Sequence, residues 1–430
     1  MKKYLIKYSL KFLLIGLIMG VSSCQKNFTN PGAATSASVL NSVNGLTGVA
    51  IGLQNWYSAG RGGLVYNTVA GGGLLTNELY CVNSGNTDEA QFGTGGGTVQ
   101  NTNGIVTGMW SVSNKVIYDA NNIIANVGIV GDKGYASGLI AYASIFKALA
   151  IGDMATFWDH VPDTSGNNVN FVTSAVGYAR AIAAIDNALT AISANPISAK
   201  FLTNVNPGID IVNTLYALKA RYSLFAGNYA AALAAANSVN LSVKSVFNYS
   251  TVTLNPIFSV ATSTNNVFQP VDSAMGLPAG LQPDPNDKRE PFYIAIGTSP
   301  RFRLSGFGAA TTTPIPVYLP GEIMLIKAEC YAQQNDLVNG LAQLNNVVTK
   351  LPAADPFGVG AALPPTTTSS QSDLLTQIYK HRCIELFMSG LKLADEKRFN
   401  RVVAERKRSY LPFPFVERNG NTNTPSDPGF

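Results

Sequence analysis

Charge is scarce in this 430-residue chain. Asp, Glu, Lys and Arg together make up 13% of it, about half the ~25% usual in soluble domains. A surface so short of charge must be covered by Asn, Thr, Ser and Gly, which makes it neutral and rich in hydrogen-bonding groups. Histidine is scarcer still: His160 and His381 are the only two. They read as a helix-end partner and a helix-surface residue, too few for a histidine-based metal centre, and no cofactor is expected. There are four cysteines, Cys24, Cys81, Cys330 and Cys383. With Cys24 set aside for the N-terminal segment the remaining three are an odd number, which argues against a full disulfide framework, and Cys330 and Cys383 fall in helical patterns as small core residues. There is no Gly-x-Ser-x-Gly elbow and no phosphate-binding loop. The runs Gly71–Gly73 and Gly95–Gly97 lack the Gly-Lys-Ser/Thr that would follow, and read as loop.

What is present begins at the N-terminus, MKKYLIKYSLKFLLIGLIMGVSSCQKN. Lys2, Lys3, Lys7 and Lys11 precede an apolar run from Phe12 to Val21, too short to span a bilayer and suited to a signal-peptide core. Val21-Ser22-Ser23-Cys24 resembles a bacterial lipobox, in which the cysteine is diacylated and becomes the new N-terminus. Cys24 is therefore the expected lipid attachment, giving a protein anchored to a membrane without spanning it. Loss of the four lysines lowers the net charge from +5 to about +1, which excludes the basic surface of a nucleic-acid binder.

Residues 1–23 read as signal, 24–45 as a Ser/Asn-rich tether and 46–430 as the folded body. The fold class is mostly α. Tetratricopeptide-like helical repeats over roughly 46–60, 109–240 and 316–400 carry an irregular, loop-rich subdomain with short β-strands over roughly 61–108 and 241–315. In the first repeat Tyr216, Ala220, Gly227-Asn228-Tyr229 and Ala232 fit the template. In the second, Met324, Ala328, Tyr331, Asn335-Asp336 and Gly340 fit it 108 residues on. The end of the chain, YLPFPFVERNGNTNTPSDPGF, carries large aromatics, so residues 401–430 are expected to dock on the body as a tail.

Several stretches together make the chain resemble the SusD/RagB family of outer-membrane nutrient-binding lipoproteins. They are GLQNWY at Gly52–Tyr57, AYASIFKALAIGDMATFWDHVP, PNDKREPFY at Pro285–Tyr293, EIMLIKAECYAQ and HRCIELFMSGLKLADEKRF. The ending Leu411-Pro412-Phe413-Pro414, Asn423 and Asp427-Pro428-Gly429-Phe430 is similar to the family's final segment. Departures exist: Ser389 stands where the family usually has an acid, Asp159-His160 where Gly-Asp is common, and Gln25-Lys26 where acidic residues often follow the cysteine. The resemblance implies a non-catalytic protein on the outer face of the outer membrane. It would bind an oligosaccharide and deliver it to a SusC-like TonB-dependent barrel. A peptide ligand, or a protein-assembly role without soluble ligand, stays open.

Sugar recognition needs aromatic faces for the apolar side of the rings, and amides or guanidinium groups for the hydroxyls. Loops on a rigid scaffold present such groups best. The two loop-rich regions offer Tyr66, Asn77, Tyr80, Asn83, Phe92, Asn101, Phe268, Gln269, Arg301 and Arg303 as candidate ligand contacts. The acids Asp153, Asp159 and Asp163 read as capping and turn residues. Ile384, Phe387, Met388 and Leu391 read as one core stripe of a helix over 378–399, with Arg382 and Glu385 as a local pair. The basic run from Lys397 to Arg408 reads as a solvated face.

Overall fold

The computed structural model describes residues 36–205, 208–297 and 301–430; Cys24 lies outside them. The N-terminal half runs α1 (Ser36–Leu40), α2 (Val43–Ser58), α3 (Leu64–Leu75), β1 (Leu79–Cys81), α4 (Thr87–Thr94), α5 (Gly104–Asn126), α6 (Lys133–Phe157), β2 (His160–Pro162), β3 (Phe171–Thr173), α7 (Ser174–Ala194), α8 (Ala199–Val205), α9 (Ile211–Phe225) and α10 (Tyr229–Asn237). It continues with β4 (Val246–Phe247), β5 (Phe268–Pro270), α11 (Arg289–Tyr293), β6 (Ile294–Ile296), β7 (Phe302–Leu304), β8 (Ile315–Pro316), α12 (Pro320–Gln333), α13 (Leu337–Val348), α14 (Gln371–Glu385), α15 (Lys392–Arg398) and α16 (Phe415–Gly420).

Helices dominate, and their starts are written locally. Asn103, Asp132, Asp210, Asn228, Asp336 and Ser370 each sit at an N-cap, and their side chains accept a backbone N–H of the first turn, satisfying donors that have no partner inside the helix. Helices α5, α6, α7, α9, α10, α12 and α13 then pack each on the next or next but one. The two repeats are the hairpins α9/α10 and α12/α13. Each turns through a residue with positive φ, Gly227 (75°) and Asn335 (62°), and the small residues Ala220, Ala232, Ala328 and Gly340 are buried between the paired helices. Helix α6 is apolar enough to cross a membrane by length and composition, but 83% of its most apolar stretch is buried inside the fold. It is the central core helix.

Strands are few and short. Among the described residues they form four antiparallel pairs, β1–β5, β2–β3, β4–β8 and β6–β7. In the first, Tyr80 faces Gln269 across the ladder; in the last, Ala295 faces Arg303.

Three expectations are corrected here. Gly71–Gly73 is not loop but the end of α3, a helix buried along its whole length. A Cβ on Gly71 would lie 3.0 Å from Phe92, one on Gly72 3.1 Å from Gly390, and one on Gly73 2.6 Å from Leu79. The glycines let other chain segments touch the helix. The expected helix over 378–399 is broken: α14 stops at Glu385, Met388 (φ 64°) and Gly390 (φ 76°) turn the chain, and α15 begins at Lys392. Arg382 and Glu385 are not partners. Arg382 donates to Asp395 at 2.9 Å, while Glu385 binds Arg289 and Lys350.

The C-terminal tail lies in a channel of aromatic rings. Leu411 and Phe413 are fully buried. Phe413 meets the rings of Trp110 and Phe171 edge-on, at centroid distances of 5.6 and 5.4 Å. Its neighbours are held by the backbone: Leu411 N–H donates to the Phe157 carbonyl at 2.8 Å, and Trp158 Nε1 to the Pro412 carbonyl at 3.0 Å.

Candidate functional site

The irregular segments 241–297, 301–315 and 77–86 meet at one rim of the helical body. Buried asparagines shape that rim. Asn255 donates to the Phe307 and Thr313 carbonyls at 2.8 and 2.7 Å, while its own oxygen accepts from the N–H groups of Ile257 and Phe258. Asn265, at φ 50°, donates to the Phe302 carbonyl at 3.2 Å. These amides replace the backbone pairing that an irregular loop lacks. Strand β5 is thereby laid against β7, which brings both two-stranded pairs to the rim.

Of the candidate contacts, Tyr80, Asn83, Arg301 and Arg303 are exposed there. Tyr80 is 38% exposed, and Gln269 Nε2 donates to its hydroxyl, which fixes the phenol while leaving the ring open. Arg303 donates to the Thr262 carbonyl at 2.8 Å, and the Arg301 guanidinium lies over the Phe302 ring at 5.0 Å. Asn83 heads a tight turn, its Oδ1 accepting from Gly85 N–H at 2.9 Å. Ile296, 66% exposed on β6, adds an apolar contact that polarity-based reading of the sequence passes over.

Other candidates are elsewhere or inward. Tyr66, Phe92 and Phe268 are fully buried, and Gln269 nearly so. The rings of Tyr66 and Phe268 pack on each other at 6.0 Å, and Tyr66 donates to buried Glu89 at 2.6 Å. Tyr66 and Phe92 lie on buried faces of α3 and α4, and Phe268 faces inward from β5 itself. Asn77 donates to the Glu405 carbonyl at 2.9 Å in a left-handed turn (φ 61°), and the Asn101 carbonyl accepts from Phe415 N–H. Both anchor the tail.

The remaining chemistry is also internal. His381 is buried, not on a helix surface; Arg289 Nη2 lies 2.8 Å from its Nδ1. Since arginine can only donate, Nδ1 accepts and the proton sits on Nε2. Burial, with the Arg289 charge adding to it, holds this imidazole well below its ordinary pKa, so it stays neutral. The basic run is largely interior: Lys397 donates to the Thr156 carbonyl, Lys407 to that of Leu74, Arg408 to that of Gly96, and Arg398 pairs with Glu329 and Asp395. Among the described residues no group of three His, Cys, Asp or Glu side chains could hold a metal ion.

Asp153 is neither cap nor turn. It lies inside α6 beside a small cavity of about 90 Å³, room for a few waters and too little for a sugar. Tyr57 donates to it at 2.8 Å, and Arg221 with its buried partner Glu322 lines the same space. Burial raises its pKa from 3.8 to about 7, with Tyr57 and Arg221 pulling the other way. A raised carboxyl binds its proton more tightly folded than unfolded. Its contribution to stability is therefore greatest below the unfolded value, is lost as pH rises through the folded one, and is constant above it. Relative to Asp153→Asn, the wild-type protein should lose about 2–4 kcal/mol of unfolding free energy between roughly pH 4 and pH 7. Denaturant melts of both proteins across that range check it; parallel curves would refute the assignment.

No family model matches the chain, and no curated protein does. Solved structures do match. A SusD superfamily protein from Bacteroides fragilis, 15% identical, superposes with a TM-score of 0.67 over 88% of this chain and 97% of that one. A SusD-like carbohydrate binding protein from Bacteroides vulgatus, 16% identical, gives 0.64 over 83% of each. A SusD homolog from Bacteroides thetaiotaomicron, 13% identical, gives 0.64 over 89% and 97%. The chain has the SusD-like fold. In this SusD-like fold the helical hairpins form the platform, and the rim carrying Tyr80 stands on the irregular segments above it.

Proposed function

We propose that this protein is a SusD/RagB-type nutrient-binding lipoprotein, anchored through Cys24 to the outer face of the outer membrane. It binds an oligosaccharide without catalysis and passes it to a TonB-dependent barrel docked on the helical platform. The observation that carries this reading is the rim: Tyr80 presents a partly exposed aromatic ring on a pinned strand, and Asn83, Arg301 and Arg303 are exposed on the turn after that strand and on the neighbouring strand pair. An aromatic face takes the apolar side of a sugar ring, while amide and guanidinium N–H groups meet its hydroxyls. The SusD-like fold, and a match whose own description is carbohydrate binding, support the ligand class.

The protein delivers affinity and positioning, and transport energy comes from the barrel's partners. The test is calorimetric titration of the mature protein against panels of oligosaccharides and peptides. At least one oligosaccharide should bind, and Tyr80→Ala should weaken that binding about tenfold, or ~1.4 kcal/mol. Arg301 and Arg303 are two exposed cations on one strand edge, which also favours an acidic peptide. Binding confined to peptides would replace the sugar by that ligand, and silence across both panels would end the reading.

A further inference from the structure

A second cleft lies away from the rim, between α5, the loop 163–170 and the tail helix α16. It offers about 360 Å³, within the ~300–1,000 Å³ range of small-molecule sites. Its wall on α5 carries Tyr118, 55% exposed, with Asn114 and Lys115 beside it. The ammonium of Lys115 lies 5.7 Å from the ring of Trp56 on the adjacent α2, itself 47% exposed. Two large aromatic rings are thus kept in water on neighbouring helices, whereas Trp110 and Trp158 are buried.

We propose that this cleft is a second saccharide-binding site, taking a neutral sugar ring against Tyr118 and holding its hydroxyls on Asn114 and Glu417. The opposite wall is built for a fixed acceptor. Trp110 Nε1 donates to Glu417 Oε2 at 2.9 Å, and Asn421 Nδ2 donates to Oε1 at 2.8 Å. Each carboxylate oxygen keeps lone pairs free for a hydroxyl. The third wall is tied to the tail by an amide network. Thr422 N–H donates to Asn168 Oδ1 at 2.9 Å, Asn423 Nδ2 to the Asn168 carbonyl at 3.0 Å, and Asn421 Nδ2 to that of Val169 at 3.0 Å. Asn168 is held at φ 53°. Walls fixed before the ligand arrives cost little ordering on binding.

Charge selects the ligand class. Lys115 is already paired with Asp119, and Glu417 is already hydrogen-bonded on both oxygens. A phosphate or carboxylate would meet the Glu417 charge and only a lysine already paired with Asp119. A hydroxyl donates to the lone pairs that Glu417 keeps free. The cleft shares no residue with the Tyr80 rim, so this site does not rest on the rim reading.

The test uses the mature protein and the methyl glycosides of glucose, galactose, mannose and N-acetylglucosamine, followed by tryptophan emission and calorimetry, since Trp110 lines the cleft and Trp56 lies against its Lys115. At least one glycoside should saturate the signal. Tyr118→Ala, at a side chain exposed enough to leave folding intact, should weaken that binding about tenfold or more. Glu417→Gln should weaken it less, and Tyr80→Ala should leave it within about twofold. The proposal is overturned if no glycoside saturates, or if Tyr118→Ala binds within about twofold of wild type.

Discussion

Arg289→Leu should cost about 3–5 kcal/mol of unfolding free energy, the range found when a buried ion pair loses one partner. Arg289 is fully buried and holds Asp287 through Nε and Nη2 at 3.0 and 2.7 Å, Glu385 through Nη1 at 3.1 Å, and the neutral His381 at 2.8 Å. Glu385 is shared with Lys350, which also binds Asp355, both at 2.7 Å. The cluster thus sets two cations against three carboxylates, and without Arg289 a single lysine would face all three. Burial works against the charge of Lys350, but Glu385 and Asp355 outweigh it and its pKa is raised, so this lysine stays charged and the excess after Arg289→Leu is negative, to be relieved only by a carboxylate taking up a proton. The double variant Arg289→Leu/Glu385→Gln should recover part of the loss, because one stranded charge goes with its partner. Denaturant unfolding of the three proteins measures this. A loss below about 1 kcal/mol for the single variant would mean the cluster is solvated and not the interior brace described here.

Phe413→Ala should cost about 3–5 kcal/mol, as for other buried phenylalanines cut to alanine. The ring closes a stack with Trp110 and Phe171, and the Trp110 and Trp158 rings themselves meet at 5.0 Å. Its removal leaves a hole between rigid rings that cannot collapse to fill it. The same variant should loosen the tail, since it removes the ring under the Arg418 guanidinium and leaves this part of the tail held by backbone bonds such as that from the residue 413 N–H to Asp427 at 2.8 Å. Hydrogen exchange would then rise at residues 411–424 before it rises in α6. Uniform protection in the variant would show that the tail is held by its backbone bonds alone.

Local signals made much of the body legible. Caps such as Asp132 and Asp210, the apolar period of α5 and the paired small residues of α9/α10 and α12/α13 all act within a few positions along the chain. The mostly helical fold follows from them. The candidate site was legible only in part. Tyr80 and Tyr66 are both tyrosines in a Gly- and Asn-rich stretch, yet Tyr80 is exposed on β1 while Tyr66 is sealed within the buried helix α3. Nothing within reach of either residue in sequence distinguishes them. The cleft at Tyr118 was missed for the opposite reason: α5 reads as an ordinary amphipathic helix, and the walls facing it come from residues 163–170 and 416–417.

The amino-acid order alone determined the helix starts that carry a side-chain cap, such as Asp132, Asp210, Asn228 and Asp336, because a cap acts over three or four residues, while the uncapped starts of α3 and α15 were not legible. Only the folded chain decided which charges pair, which glycines are contacts and which aromatics face water. Arg289 and Glu385 lie 96 positions apart, and a Cβ on Gly321 would come 1.8 Å from Glu385. Interactions of that kind are selected by how helices stack. Composition cannot encode them one segment at a time.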